Sequence, residues 1–185
     1  PLTIGQPRSI RLVDDVVAGE RLFGLVASKV FEIETPGPEH LFRVGTAAVI
    51  HRMFRAPDGT IRLLVQGLVR FRIIEFTATE PYLMARVEVL PEILETGLQV
   101  EALERNVREQ FIHMAELIPS MPRELVATIA AIPDPLQLVY NIANIQRMDI
   151  NDAQEILELN RISEKLQKLV TILAREIEVL ELSQK

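Results

Sequence analysis

The 185-residue chain contains no cysteine and no tryptophan, and aromatic residues make up only 5% of it. Without Cys there is no disulfide framework, no thiolate nucleophile and no Cys-ligated zinc, a usage compatible with a reducing, cytoplasmic location. No glycine is followed by lysine, so the phosphate loop G-x-x-x-x-G-K-[ST] is absent. There is no G-x-S-x-G nucleophile elbow. No apolar run approaches the ~18 residues of a membrane span, and no signal peptide is visible. Histidine is scarce: His40, His51 and His113, none with a second His at the i, i+4 spacing of a helical metal site. They read as solvated or packed side chains. The Ser–Lys neighbours do not make a nucleophile pair. Ser28 and Lys29 point to opposite faces of a strand, and Ser163 and Lys165 diverge on a helix. Carboxylate pairs such as Asp14–Asp15 and Glu176–Glu178 read as wet faces.

What is present is a core-forming composition. Hydrophobic residues reach 48%, enough to bury one large domain or two small lobes built mainly on Leu, Ile and Val. Net charge is −6, and this acidic balance counts against a nucleic-acid binder. Residues 45–73 form the centre of the pattern. Ala56-Pro57-Asp58-Gly59-Thr60 has the chemistry of a hairpin turn: Pro57 pre-sets φ, Asp58 bonds forward and Gly59 accepts positive φ. Beyond it Ile61, Leu63 and Val65 alternate with Arg62, Leu64 and Gln66, a half-buried strand. A further strand follows Gly67 and runs from about Phe71 to Thr79; another covers Tyr82 to Leu90. Upstream, Pro7 opens a helix that Gly19 stops. The apolar run Leu22–Ala27 predicts a strand buried on both faces. Pro36-Gly37-Pro38 marks a loop.

The period changes near residue 96. Thr96-Gly97-Leu98-Gln99 predicts a capping box with Thr96 as cap. Val100, Leu103, Val107, Phe111, Met114 and Ile118 then recur at helical spacing. Pro119 and Pro122 break that helix, a second runs from about Pro122 to Ala131, Asp134 caps a third, and Asn151 opens a fourth. The last carries Ile162, Leu166, Leu169, Leu173, Ile177 and Leu180 on one stripe, close to a heptad seam. The predicted division is therefore a β-rich lobe, 1–96, and an all-helical lobe, 97–185. Up to residue 97 the chain has 11 basic against 12 acidic residues, net −1; beyond it 9 against 14, net −5.

Four segments, in order, resemble the amino-terminal substrate-binding domain of the Lon protease family. Pro1-Leu2-Thr3-Ile4-Gly5 with Arg8-Ser9-Ile10 is similar to its opening segment. The stretches Gly45–Ile50, Ala56–Thr60 and Leu64–Ile73 are similar to its hairpin. Asp134-Pro135-Leu136-Gln137-Leu138 and Gln154–Glu158 with Arg161-Ile162 are similar to two helical motifs, although Val139-Tyr140 replaces the family's usual Ala-Asp. The resemblance implies an α+β fold: a PUA-like β pseudobarrel, then a helical bundle ending in a long helix. It implies that the family's first strand would precede Pro1. An ATPase module and a Ser–Lys peptidase module would follow Lys185, so that ATP and Mg belong to the parent protein and no cofactor to this stretch. Pro1 in place of an initiating Met agrees with a piece of a longer chain. The implied function is non-catalytic: recruiting unfolded or damaged polypeptides to a homohexameric protease, the isolated stretch being a monomer or weak dimer.

Such a function needs exposed apolar surface. Leu2 and Ile4 near the chain start, Met53 and Phe54 at the hairpin tip, and Met121 between two prolines are the candidate substrate contacts. Two other readings compete. One is a stand-alone domain of the same type that binds a protein partner or small ligand. The other is a PUA-like RNA binder using Arg52, Arg70 and Arg72, with Arg55 and Arg62 nearby.

Overall fold

The computed structural model describes residues 1–146 and 148–184. Lys185, the end of the predicted helical lobe, lies outside the described residues, as does Arg147. The expected α+β class holds: the described residues form an antiparallel sheet and six α-helices. The chain divides into two compact units, Pro1–Pro91 and Glu92–Lys185.

Unit 1 comprises β1 (Leu2–Ile4), α1 (Pro7–Val17), β2 (Leu22–Leu25), β3 (Val44–Arg55), β4 (Ile61–Ala78) and β5 (Met84–Val89). The strand order is β1-β4-β3-β2, with β5 also paired to β4. The turn forms as its residue types dictate. Gly59 adopts φ +89°, and Asp58 Oδ1 accepts from the Thr60 amide (3.0 Å) and hydroxyl (2.7 Å). β4 is one strand of 18 residues, so the separate strand expected after Gly67 is its continuation. A register shift opposite Ala47/Ala48 absorbs the irregularity at Gly67. The run expected to be buried on both faces is the short strand β2. Among the described strands it is hydrogen-bonded only to β3, and its residues alternate between exposed and half-buried. A lone neighbour leaves one side of the strand without cover.

The small core of this unit lies beneath α1. Val13 of the helix packs with Ile50, Ile61 and Leu63 of the hairpin. Pro7 occupies the first turn of α1, where a missing N–H costs nothing. An ion pair between Arg55 and Asp14 links the hairpin tip to the helix.

Unit 2 comprises α2 (Leu98–Glu116), α3 (Arg123–Ala130), α4 (Pro135–Ile145), α5 (Ile150–Glu158) and α6 (Ile162–Ser183). Its core joins Val107, Phe111 and Met114 of α2 to Leu166, Leu169 and Leu173 of α6, the stripes that periodicity predicts. Asp134 caps α4 through the Leu136 amide. Two caps differ from expectation. Gly97, not Thr96, is the N-cap of α2, at φ +125°, a backbone geometry that a β-branched residue resists. Asp149, two residues before Asn151, caps α5. The boundary also falls before residue 96. Ile93 N–H donates to Asn160 O (2.7 Å) and Ile162 N–H to Ile93 O (3.0 Å), which ties this segment to the helices.

Candidate functional site

In unit 1 a groove of about 560 Å³ lies against α1 and the sheet. It forms because α1 has two apolar flanks. Ile10, Val13 and Val17 belong to the small core, and Leu12 and Val16 line the groove with Arg8 and Ser9. Phe71, Ile73 and Phe76 of β4 supply its aromatic and aliphatic lining. Gly24 of β2 also borders it. A Cβ at that position would stand 3.0 Å from the Phe71 ring, so the glycine makes room for the aromatic. Beside β4, its sheet neighbour β5 contributes Ala85 and Val87.

Three apolar groove residues keep much of their surface in solvent: Leu22 at 44%, Met84 at 54% and Val87 at 45%. Burying such surface against an apolar partner yields roughly 25 cal/mol per Å². Arg8 is the one charged side chain in the lining. Its Nη2 donates to Pro36 O at 2.7 Å. Tyr82, also in the lining, donates to Asp15 Oδ2, near the other end of α1, at 2.7 Å, and that bond holds the phenol above its ordinary pKa.

The five predicted contact residues are placed differently. Phe54 is exposed, at 60%. Leu2, Ile4 and Met53 are half-buried and pack on the core under α1; for Leu2 and Ile4 this corrects the expected exposure, and at the hairpin tip Phe54 is the outward member of the pair with Met53. β1 pairs with β4 in the register Leu2↔Leu63 and Ile4↔Ile61, so Leu2 and Ile4 share the inward face of those buried residues. Met121 is also half-buried, packed on the helical core. It borders a second cavity of about 590 Å³ with Ile112, Ile118, Pro119 and Val126. None of the five lines the groove of unit 1.

The arginine patch does not assemble as expected. Arg70 is 3% exposed and donates from Nη2 to Pro91 O at 3.1 Å, while Leu90 N–H donates to its carbonyl. Residues 90–91 lie against this stretch of β4 and remove Arg70 from solvent. Arg72 stays exposed and faces Glu88 at 3.8 Å.

Sequence reasoning missed the most deeply buried charge. Lys165 of α6 is fully buried. Its Nζ lies 3.2 Å from Glu92 Oε2 and donates to Tyr140 Oη (2.9 Å) and Ile156 O (2.5 Å). Tyr140 in turn donates to Glu92 at 2.6 Å. The signal was present, since Lys165 falls three residues after Ile162 and four before Leu169, on the apolar stripe itself.

Three residues after Glu92, Glu95 caps α6 from outside the helix. Its Oε1 accepts from Ser163 N–H (3.1 Å) and Oγ (2.6 Å), where the N-cap Arg161 makes no side-chain cap bond. The Ser163 hydroxyl, then its amide and Arg161, hold the Glu95 carboxyl below its ordinary pKa. A carboxyl lowered on folding stabilises the fold above its ordinary range, and the contribution fades as pH falls through the depressed value. Glu95→Gln should therefore melt below the parent chain at neutral pH and converge with it in strong acid. Thermal unfolding across a pH series checks this, and equal melting at neutral pH would refute it.

Among the described residues no three His, Cys, Asp or Glu side chains gather as a metal site, and no helix is long and apolar enough to cross a membrane.

The family model of the "ATP-dependent protease La (LON) substrate-binding domain" matches residues 1–175. The chain is similar to Lon protease of Dictyoglomus thermophilum, 44% identical over 185 residues, and to Lon protease 1 of Herpetosiphon aurantiacus, 42% identical over 189. Each match covers 100% of this chain and 23% of the relative, so the chain spans about a quarter of their length. Among solved structures it resembles the N-terminal domain of Mycobacterium avium complex Lon protease. The TM-score there is 0.72 at 19% identity, over 94% of this chain and 89% of that one. It also resembles the Lon N-terminal domain protein from Xanthomonas campestris, with TM-score 0.58 at 17% identity, over 92% and 86%. These structures share the fold. On the family match and the relatives' identity, the chain belongs to the Lon substrate-binding domain family.

Proposed function

We propose that the chain is the non-catalytic substrate-recognition domain of a Lon-type ATP-dependent protease and binds unfolded or damaged polypeptides through exposed apolar surface. ATP hydrolysis, Mg binding, peptide-bond cleavage and hexamer formation belong, in this reading, to other modules of the parent protein. The observation that carries it is the groove of unit 1. Its lining is mostly apolar, and Leu22, Met84 and Val87 remain exposed along it. A native protein hides such side chains and an unfolded one offers their complements.

The test is capture of one model protein in its native and its permanently unfolded form by this chain. Binding of the unfolded form alone is expected. Leu22→Ser with Met84→Ser and Val87→Ser should weaken it at least tenfold, with the melting temperature little changed because all three are exposed. Phe54→Ser at the hairpin tip serves as the comparison. Equal capture of both forms, or undiminished capture by the triple variant, would overturn the reading.

A further inference from the structure

We propose that the groove of unit 1 receives the carboxyl-terminal end of an extended apolar polypeptide, with Arg8 holding the terminal carboxylate. The inference rests on the polypeptide-binding function proposed above and names which part of the client the groove takes.

Three observations lead there. The first is charge. Arg8 is the one ionic group in a lining otherwise apolar except for Ser9 and Tyr82. Its bond to Pro36 O engages one of the five guanidinium N–H groups and anchors the side chain beside the groove. No carboxylate of the described residues pairs with it. A guanidinium with free donors beside an apolar surface matches a ligand that combines one carboxylate with apolar bulk. Arg8 and Ser9 also stand in the first turn of α1, which contains no acidic residue. The helix dipole adds positive potential of the same sign.

The second observation is backbone. Two of the strands that border the groove are each hydrogen-bonded to one neighbour among the described residues, β2 to β3 and β5 to β4. Each leaves N–H and C=O groups that an extended peptide can pair with and a hydrocarbon tail cannot. This favours a polypeptide over an aliphatic acid.

The third is size. A volume near 560 Å³ lies within the range of sites that enclose a few side chains. A chain end fits there with its final apolar residues against Phe71 and Ile73 and its only charge on Arg8. An internal segment carries no such charge unless it holds an acidic residue, and that residue would interrupt the apolar contact.

The probe is a fluorescein-labelled octapeptide ending Ala-Leu-Val-Leu, free of charged side chains, prepared as the free acid and as the carboxamide. Fluorescence anisotropy with the 185-residue chain should give the acid at least tenfold tighter binding than the amide. Arg8→Gln, which retains a donor for Pro36 O, should erase that difference and leave the melting temperature near that of the parent chain. Arg8→Lys should retain part of it. Ala85→Phe, which fills the groove, should abolish binding of both forms. Equal binding of acid and amide overturns the inference, as does a preference that survives in Arg8→Gln. Displacement of the peptide by decanoate as effectively as by unlabelled acid peptide reassigns the site to a hydrocarbon acid and also overturns it. If neither peptide binds while unfolded protein is still captured, this inference fails and the proposed function stands. If unfolded protein is not captured either, both fail.

Discussion

Glu92→Ala should destabilise unit 2 by about 3 to 5 kcal/mol, the cost of leaving one member of a buried ion pair without its partner. Lys165 has no exposed surface and sits 3.2 Å from the Glu92 carboxylate. Truncation of Glu92 would leave the ammonium with Tyr140 and the carbonyls at the end of α5. Those dipoles solvate a cation without neutralising it. Tyr140 would also lose its acceptor. The paired substitution Glu92→Leu with Lys165→Met should recover most of the loss, because it removes both desolvation penalties at once. Urea unfolding, read by amide exchange in α4 to α6, separates these outcomes and avoids assuming that two units unfold in one step. A loss below 1 kcal/mol for Glu92→Ala would show that the tyrosine and carbonyls suffice.

This cluster also marks the limit of what periodicity alone reveals. The helical stripes were legible, and Ile162, Leu166, Leu169 and Leu173 are buried as their spacing requires. A lysine on the same stripe reads as surface unless a partner is known, and the partner lies 73 positions earlier, in Glu92. The connection between them depends on residues 92–95 running beside the start of α6, a tertiary fact with no local signature. Local chemistry, by contrast, was legible wherever the causes were local. The Ala56–Thr60 turn and the Asp134 cap formed as their residue types dictate.

The predicted contact residues show the same divide. Two adjacent residues at a hairpin tip face opposite ways, so one of Met53 and Phe54 had to be outward, and Phe54 is. Leu2 and Ile4 belong to a strand at the chain start whose partner no local pattern identifies. The pairing of β1 with β4 places them inward. The groove has no sequence signature for a related reason. Its lining comes from α1, β2, β3, β4 and β5 and the loops near Pro36 and Tyr82, segments that no sequence window brings together. Arg70 misled in the opposite direction. Alternation puts it on one face with Arg72, correctly, but residues 90–91 lie against only one of the two.

Gly45→Ala should destabilise unit 1 by roughly 2 to 3 kcal/mol, at the upper end of the cost of overpacking. Gly45 is buried and paired with Phe71 across β3 and β4. A Cβ there would press into the Leu25 carbonyl oxygen and stand 2.7 Å from Val26 Cγ2 and 2.9 Å from Phe71 Cζ. The ring can turn, but the carbonyl belongs to the backbone of β2. Moving it disturbs the pairing of Leu25 with Thr46. Gly24→Ala should cost less, about 1 kcal/mol, because its new Cβ meets only the Phe71 ring, at 3.0 Å. The two are told apart by a second substitution. Phe71→Leu should relieve Gly24→Ala in large part and leave Gly45→Ala nearly as unstable, since the carbonyl clash remains. Amide exchange in β2, β3 and β4 measures the loss, with α2 and α6 of the other unit as the internal reference. Equal rescue of both variants by Phe71→Leu would show that the ring alone excludes a side chain at Gly45. If the carbonyl decides, the glycine that opens the hairpin segment is a packing requirement. Its role is to let β2 lie close enough to β3 for the groove to have a wall.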